Sequence, residues 1–152
     1  MSRPFSSSPG MAAAFAEAQA ASARGEVPIG AAITLNGTVV AAAGNRTREL
    51  HDPSAHAEVL AIRAACAATG SQRLPRHDLH VTLEPCAMCA ALIGFARIDR
   101  LYYGASDPKG GGVHHGARVF THATCHHAPE VYGGIGEAAS TALLRDFFSA
   151  RR

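Results

Sequence analysis

The order in which helix-like and strand-like segments follow one another constrains this chain more than any other sequence feature. Helical patterns are predicted over 11–24, 52–70, 86–97 and 136–149, and strand patterns over 28–35, 38–42, 78–83 and 98–104. Asn36-Gly37 between the first two strands is a strong hairpin turn, because both positions tolerate positive φ. The order α-β-β-α-β-α-β-α predicts an α/β domain with three layers and a mixed central sheet.

The length and composition favour one folded unit. A chain of 152 residues buries a sufficient core without disulfides. Residues 1–10 are rich in serine and proline, so we expect them to be disordered, and residues 11–152 contain no linker that would divide a single domain. No apolar run approaches the roughly 18 residues of a membrane span, and Glu17 and Gln19 interrupt the alanine-rich stretch that most resembles a signal peptide.

Cysteine content and net charge exclude further classes of protein. Four cysteines in 152 residues do not form a disulfide framework, so we expect a cytoplasmic protein with reduced thiols. The net charge of +2 gives no attraction of the whole molecule to nucleic acid. The basic residues are almost all arginine, with Lys109 as the only lysine.

Two of the cysteines, Cys86 and Cys89, have C-x-x-C spacing and share one face at the start of a predicted helix. The helix dipole favours thiolates there, which suits a redox pair, a structural zinc site or a catalytic zinc site. Pro85 stands where redox pairs usually have an aromatic residue, and the chain has no second C-x-x-C to complete a structural site.

His56 lies near the start of another predicted helix, which we expect to begin at Asp52-Pro53. Together with Cys86 and Cys89 it would give zinc three protein ligands and leave the fourth position open, as in catalytic sites. Such an ion makes hydroxide available near neutral pH, and Glu58 is the candidate for moving protons. Residues two apart on a helix point about 200° away from each other, so His56 and Glu58 reach one ion only if it lies off the helix end.

Taken singly, His56 is better explained as a capping or packed histidine and Glu58 as a solvated helix residue. The combination H-A-E…P-C-x-x-C is the signature of zinc deaminases, tRNA adenosine deaminases among them. Four other stretches are similar to the bacterial tRNA adenosine deaminases of the cytidine-deaminase-like superfamily: E-V-P-I-G-A at 26–31, G-N-R at 44–46, D-P-K at 107–109 and D-F-F at 146–148. The resemblance extends from about Glu26 to Arg152.

This resemblance implies a cytidine-deaminase-like α/β/α sandwich with about five strands, and a homodimer whose active site lies near the subunit interface. It implies one zinc ion per subunit, bound by His56, Cys86 and Cys89, with no nucleotide cofactor and no membrane partner. The implied substrate is the wobble adenosine in the anticodon stem-loop of an arginine tRNA, which becomes inosine. Glu58 would take a proton from water and deliver protons to the ring nitrogen and the departing ammonia.

The resemblance also implies the substrate contacts. Asn45 would hydrogen-bond the flipped nucleotide, and backbone groups around Ala57 and Pro85 would hold the base. Flipping costs least in a loop that is already single-stranded, as an anticodon loop is. The other candidate contacts are Glu26, Pro28, Asp107, Lys109, Phe148 and Arg152.

Two other functions remain open from the sequence. The same zinc site could serve a deaminase of free guanine, cytosine or cytidine, because only the pocket walls would differ. A non-catalytic zinc-bearing RNA-binding module is the third possibility, and the intact Glu58 argues against it.

Two loop segments have no assigned role. The stretch from His114 to His127, with Cys125, departs from the usual family sequence. It is either a second metal site, for which it lacks an obvious ligand set, or a surface segment whose histidines contact phosphate or ribose. The run Gly110-Gly111-Gly112 is not followed by G-K-[ST], so we interpret it as a flexible wall of the substrate groove rather than a phosphate loop.

Overall fold

The computed structural model describes residues 8–151, which form one five-stranded mixed sheet with helices on both faces. The elements in chain order are α1 (Pro9–Ala23), β1 (Gly30–Leu35), β2 (Thr38–Gly44), α2 (Ala57–Thr69), β3 (His77–Leu83), α3 (Ala87–Phe95), β4 (Arg100–Ala105), β5 (Glu130–Tyr132) and α4 (Glu137–Ser149). A short 3-10 turn spans Val119–Thr121. Among the described helices, none has the length and apolar character needed to cross a membrane.

The sheet has the strand order β2-β1-β3-β4-β5. Strand β1 is antiparallel to β2 and β3, whereas β3, β4 and β5 run parallel. The start of β1 therefore lies at the same edge of the sheet as the ends of β2, β3 and β4. The pairs Gly30↔Gly44, between β1 and β2, and Leu83↔Ala105, between β3 and β4, show this. Because of this topology, the segments that follow β2, β3 and β4 all leave the sheet at one edge.

The two faces of the sheet are packed differently. Helices α2 and α3 cover a core of large apolar side chains, which includes Ile33, Leu79 and Ile93. Helix α1 lies on the other face and turns buried alanines toward β1 and β2. A Cβ on Gly44 would lie 2.7 Å from the carbonyl oxygen of Glu17, so the small residues allow helix and sheet to approach closely. The alanines of α1, β1 and β2 thus make this close contact between helix and sheet possible.

A row of rings crosses the α1 face of the sheet. His80, Tyr102 and Tyr132 stand on the neighbouring strands β3, β4 and β5, with ring centroids 5.0 and 5.1 Å apart. The imidazole of His80 lies 3.0 Å from the Thr34 hydroxyl, and burial lowers its pKa to about 4. His80 is therefore a neutral, buried part of the packing at neutral pH.

The predicted fold class is confirmed, but two helix starts were wrong. Helix α1 begins at Pro9 rather than residue 11 and is capped by Ser8, so Pro9 and Gly10 are helical; the rest of the stretch predicted to be disordered, residues 1–7, lies outside the described residues. Helix α2 begins at Ala57 instead of Asp52-Pro53. The Asp52 carboxylate accepts hydrogen bonds from the N–H and hydroxyl of Ser54, which makes a local turn and not a helix cap.

The fifth strand, β5, was not located by sequence pattern. It comprises three residues, and a segment that short shows no alternation of apolar and polar side chains. The left-handed Gly70 ends α2, as predicted.

Candidate active site

His56 is the residue that caps α2, and it is not part of the helix. Its backbone is extended, with φ −71° and ψ 153°, and Ala57 is the first helical residue. The ring therefore leaves the chain off the helix end, while Glu58 lies in the first turn. This arrangement removes the difficulty that two helical residues two positions apart would face away from each other.

The two cysteines meet His56 from the start of α3. Cys86 caps that helix, and Cys89 lies within its first turn. The Nδ1 atom of His56 is 3.7 Å from Sγ of Cys86 and 3.5 Å from Sγ of Cys89. A tetrahedral zinc ion with ordinary bond lengths holds its nitrogen and sulfur ligands roughly 3.6 Å apart, so the three donors fit zinc and leave a fourth position for another ligand. In residues 8–151 no other group of three or more His, Cys, Asp or Glu side chains has ligand geometry.

The contact between the two thiols favours the metal-binding thiolate form at Cys86 but not at Cys89. The hydrogen bond from Cys89 lowers the pKa of Cys86 to about 4, against the effect of burial and with help from His56. The same hydrogen bond and burial raise the pKa of Cys89, so the shared proton stays on Cys89. Zinc held by both sulfurs would require that proton to leave Cys89.

Glu58 is buried, with 4% of its surface exposed. Burial raises the pKa of its carboxyl group, against the lowering effect of its backbone hydrogen bond and of His56. A carboxyl group in this position, next to a zinc ligand and buried from solvent, is a candidate for general acid–base chemistry.

A cavity of about 250 Å³ opens beside these groups, and its lining residues are Val27, Ile29, Asn45, Thr47, His56, Ala57 and Glu58. The predicted residues Asn45 and Ala57 therefore share one small cavity with a zinc ligand and the acid–base candidate. The sequence prediction missed Val27, Ile29 and Thr47. Val27 and Ile29 flank the fully buried Pro28, and that alternation is the signal that would have placed them on the cavity side.

Asn45 has an unused acceptor. The residue is 6% exposed, and its Oδ1 atom is buried without a hydrogen-bond partner in the described residues. The Asn45 backbone is fixed, because its N–H donates to the Ile29 carbonyl and its own carbonyl accepts from Arg24. A buried amide oxygen is seldom left unpaired, so this atom calls for a donor from a ligand in the cavity.

Comparison with known proteins agrees with this geometry. Residues 6–105 match the family described as the cytidine and deoxycytidylate deaminase zinc-binding region. The chain is 60% identical, over 142 residues, to the tRNA-specific adenosine deaminase of Agrobacterium fabrum strain C58, covering 93% of each protein. The chain belongs to the tRNA-specific adenosine deaminase family. His56, Cys86 and Cys89 are its zinc-binding site.

Solved structures of related proteins share the fold of this chain. A structure from work on A-to-I editing by tRNA:A34 deaminases superposes with a TM-score of 0.88 at 60% identity, covering 90% of this chain and 99% of that one. The guanine deaminase of Nitrosomonas europaea, at 22% identity and a TM-score of 0.81 over 98% of this chain and 86% of that one, shares the fold. The expected cytidine-deaminase-like fold is thus confirmed.

Several predicted substrate contacts of this deaminase lie away from the cavity. The buried carboxylate of Glu26 accepts the N–H groups of Arg48 and Glu49 and so holds the loop after β2. Pro28 points into the core, and the carbonyl of Pro85 accepts the N–H of Gly112 at 2.8 Å.

The remaining predicted contacts are on outer segments. Asp107 and Lys109 lie on the loop after β4, where the Asp107 carboxylate accepts the Gly110 N–H at 2.9 Å. Phe148 is half-exposed near the end of α4, and Arg152 lies outside the described residues. None of the described ones lines the cavity, so their contact with substrate remains a prediction.

The glycine run is not the flexible wall that we expected. Gly111 and Gly112 are buried. A Cβ on Gly112 would lie 2.5 Å from the Ala87 nitrogen, and one on Gly111 would lie 2.5 Å from Oε2 of Glu84. The run is therefore packed against the start of α3, and its glycines are needed for close approach.

The histidine-rich stretch forms no second metal site in the part of the chain that the structure describes. Instead, four of its rings bond to the protein: His114 to the Tyr103 hydroxyl (2.5 Å), His115 to Glu84 (2.7 Å), His122 to the Ala117 carbonyl (2.6 Å) and His127 to the Ile98 carbonyl (2.7 Å). One nitrogen of each ring thus fixes the segment. The contact of these histidines with phosphate or ribose stays a prediction.

Proposed function

We propose that this chain is a zinc-dependent hydrolytic deaminase that converts the wobble adenosine of an arginine tRNA to inosine. The observation that carries the proposal is that His56 meets Cys86 and Cys89 and also lines one cavity with the buried Glu58, in a chain 60% identical to a tRNA-specific adenosine deaminase. Because the substrate is a tRNA, we place the protein in the cytoplasm. We expect residues 11–152 to act as one domain.

The reaction consumes one water and releases one ammonia, so protons must move twice. Zinc in this site supplies a Lewis acid that lowers the pKa of water. Glu58 takes one proton from the attacking water and passes it to the ring nitrogen. It then takes the proton of the new C6 hydroxyl group, which becomes the carbonyl of inosine, and passes it to the amino group that leaves C6 as ammonia. The position of Glu58 suits this role, because the residue lines the cavity and follows the zinc ligand His56 by two residues.

The cavity walls suit a flipped base. The side chains of Val27 and Ile29 offer apolar surface to the purine, and Oδ1 of Asn45 is an acceptor for a nucleotide donor. The volume of about 250 Å³ limits entry to a single base, so the target must leave its stack. An anticodon loop meets this requirement at low cost, since its bases are unpaired.

The test is a substrate panel with zinc-loaded protein. We compare an arginine-tRNA anticodon stem-loop carrying a wobble adenosine with free adenine, guanine, cytosine and their nucleosides. We expect inosine in the stem-loop and no ammonia from the free compounds. Ammonia from a free base with an untouched stem-loop would leave the zinc chemistry intact and transfer the protein to the second candidate function, nucleobase deamination.

We also propose that the protein is a homodimer that pairs through α3. Phe95 is 72% exposed and Met88 is 41% exposed on this helix, beside an apolar groove of about 280 Å³ between α3 and residues 117–127. Met88 lies between the two zinc cysteines, so a partner at this face would sit close to the active site. Large exposed apolar side chains clustered on one face are typical of protein interfaces.

Light scattering after size-exclusion chromatography tests the dimer. We expect twice the 15.7 kDa chain mass for the wild type and a shift toward one chain mass for Phe95→Glu. Val40→Glu is the matched control, because Val40 is also an exposed apolar residue (40%) but lies on β2, away from α3. A wild-type protein of one chain mass contradicts this proposal.

A further inference from the structure

Glu84 is a buried carboxylate that the deamination chemistry does not use. It follows β3 and precedes the zinc ligand Cys86 by two residues, with only 2% of its surface exposed. It accepts hydrogen bonds from four backbone N–H groups and one ring: Asp107 (3.0 Å), Val113 (3.2 Å), His114 (2.9 Å), His115 (3.1 Å) and Nδ1 of His115 (2.7 Å).

The five donors converge on both oxygens of the Glu84 carboxylate. The Asp107 N–H and the His115 ring bond to Oε1, and the N–H groups of Val113, His114 and His115 bond to Oε2. Hydrogen bonds to a charged acceptor are stronger than neutral ones, and four of the five come from the main chain. Glu84 therefore holds the backbone of residues 107–115, whatever side chains that segment carries.

The same segment is tied to the start of the zinc helix α3. The Gly112 N–H donates to the Pro85 carbonyl at 2.8 Å, and Gly111 packs against the Glu84 carboxylate. At the near end, the Asp107 carbonyl accepts the Gly111 N–H at 2.8 Å, which closes a tight turn around Lys109. The ammonium of Lys109 is thus carried by a turn whose two ends are both fixed.

We propose that Glu84 is a positioning residue that fixes the turn bearing Asp107 and Lys109 at a set distance from the zinc site. This inference rests on the proposed function, because the turn matters only if it contacts an RNA substrate. Lys109 offers a cation to a backbone phosphate, and the zinc site acts on a base of the same strand. Glu84 makes these two contacts simultaneous, so it favours a nucleotide within a strand over a free base.

The first test is Glu84→Gln. Glutamine has one acceptor oxygen in place of two and puts an NH₂ group against N–H donors, so the turn loses part of its anchor. With the wobble-adenosine stem-loop, we expect KM to rise by about 10-fold or more while kcat stays within about 3-fold and the zinc content stays at one per chain. The control is Glu130→Gln. It removes an exposed carboxylate on β5 that pairs with Arg100 on β4, and we expect it to change neither KM nor kcat.

A double-mutant cycle with Lys109→Ala separates positioning from a general structural role. If Glu84 acts through the turn, Lys109→Ala raises KM in the wild type and adds little in Glu84→Gln, because both changes remove one contact. Fully additive effects, or loss of zinc in Glu84→Gln, would overturn the inference. Unchanged KM in Glu84→Gln would overturn it as well.

Gly111→Ala provides a second route if Glu84→Gln does not fold. The added Cβ would lie 2.5 Å from both Oε2 of Glu84 and the Asp107 carbonyl oxygen, so it displaces the turn and leaves the carboxylate in place. We expect the same rise in KM with zinc retained, and a wild-type KM would count against the inference.

The wild type separates failure of this inference from failure of the proposed function. A wild type that leaves the stem-loop unconverted refutes both together. A wild type that converts the stem-loop, with KM unaffected in Glu84→Gln, refutes this inference alone.

Discussion

Two buried glutamates flank the zinc ligands, and their surroundings differ. Glu58 follows His56 by two residues, Glu84 precedes Cys86 by two residues, and they are 4% and 2% exposed. Burial dominates at Glu58 and raises its pKa, whereas hydrogen bonds dominate at Glu84 and lower its pKa. Burial alone therefore does not set the direction of the pKa shift of these two carboxyl groups; the number of donors around each one does.

The difference follows from where each glutamate meets the backbone. Glu58 lies inside the first turn of α2 and lines the cavity, where few protein donors reach it. Glu84 lies at the edge of the sheet, where the loop after β4 presents a series of free N–H groups. The first position suits the proton transfer that we propose for Glu58, and the second suits the anchoring role that we propose for Glu84.

The largest expected effect comes from Glu58→Gln. The amide keeps the shape of the side chain but cannot move protons, so we expect kcat on the stem-loop to fall by about 10³-fold or more. Zinc content and the Kd of a fluorescently labelled stem-loop should stay at wild-type values. Single-turnover kinetics measure the loss, and turnover within 10-fold of the wild type would remove the distinction between the two glutamates.

The next largest effect is on the free energy of unfolding. Here we expect replacement of Glu84 to cost more than replacement of Glu58. Glu84→Ala leaves several buried N–H groups without an acceptor, so we expect a loss of about 3 kcal/mol in the free energy of unfolding. Glu58→Ala removes a carboxyl group with few partners and should cost less. Urea unfolding of the two zinc-loaded variants measures the difference, and an equal loss for both would contradict the separate roles.

How much the sequence predicted depends on how local each feature is. The zinc ligands were predicted correctly because the short motifs H-x-E and P-C-x-x-C contain them. The same motif predicts the acid–base role of Glu58, which stays a prediction. The start of α2 was misplaced because the Asp52-Pro53 pattern fits both a helix cap and the turn that Asp52 makes with Ser54. A local motif can be predicted from sequence where only one local structure is compatible with it.

The features that sequence reasoning missed depend on distant contacts. Glu84 binds residues 23 to 31 positions away, and no pattern in one sequence shows that pairing. Ile29 and Asn45 meet in the cavity because they adjoin the paired residues Gly30 and Gly44 of β1 and β2. The glycine run was misinterpreted for the same reason, since its flexibility is removed by packing against α3.

His80 provides a pH effect that is independent of both glutamates. Burial lowers its pKa from 6.5 to about 4, so between these pH values the unfolded chain holds more protons at this site than the folded protein. Stability from this group is complete above about pH 6.5 and falls by up to about 3 kcal/mol as the pH drops to 4. Unfolding free energies of the wild type and His80→Phe between pH 7 and 4 measure it: the wild type should lose more, and parallel curves would exclude His80 as the cause.

The smallest effect is expected for His115→Ala, which sharpens the account of Glu84. The ring supplies one of five donors, and about a third of its side chain is exposed, so the four backbone donors should hold the segment without it. We expect a loss of about 1 kcal/mol in unfolding free energy and a rise in KM of no more than about 3-fold. His122→Ala is the matched control, because that ring bonds only the Ala117 carbonyl of its own segment. A rise in KM as large as that of Glu84→Gln would mean that the ring, and not the backbone, transmits the position of the turn, and the anchor would then be the Glu84–His115 pair.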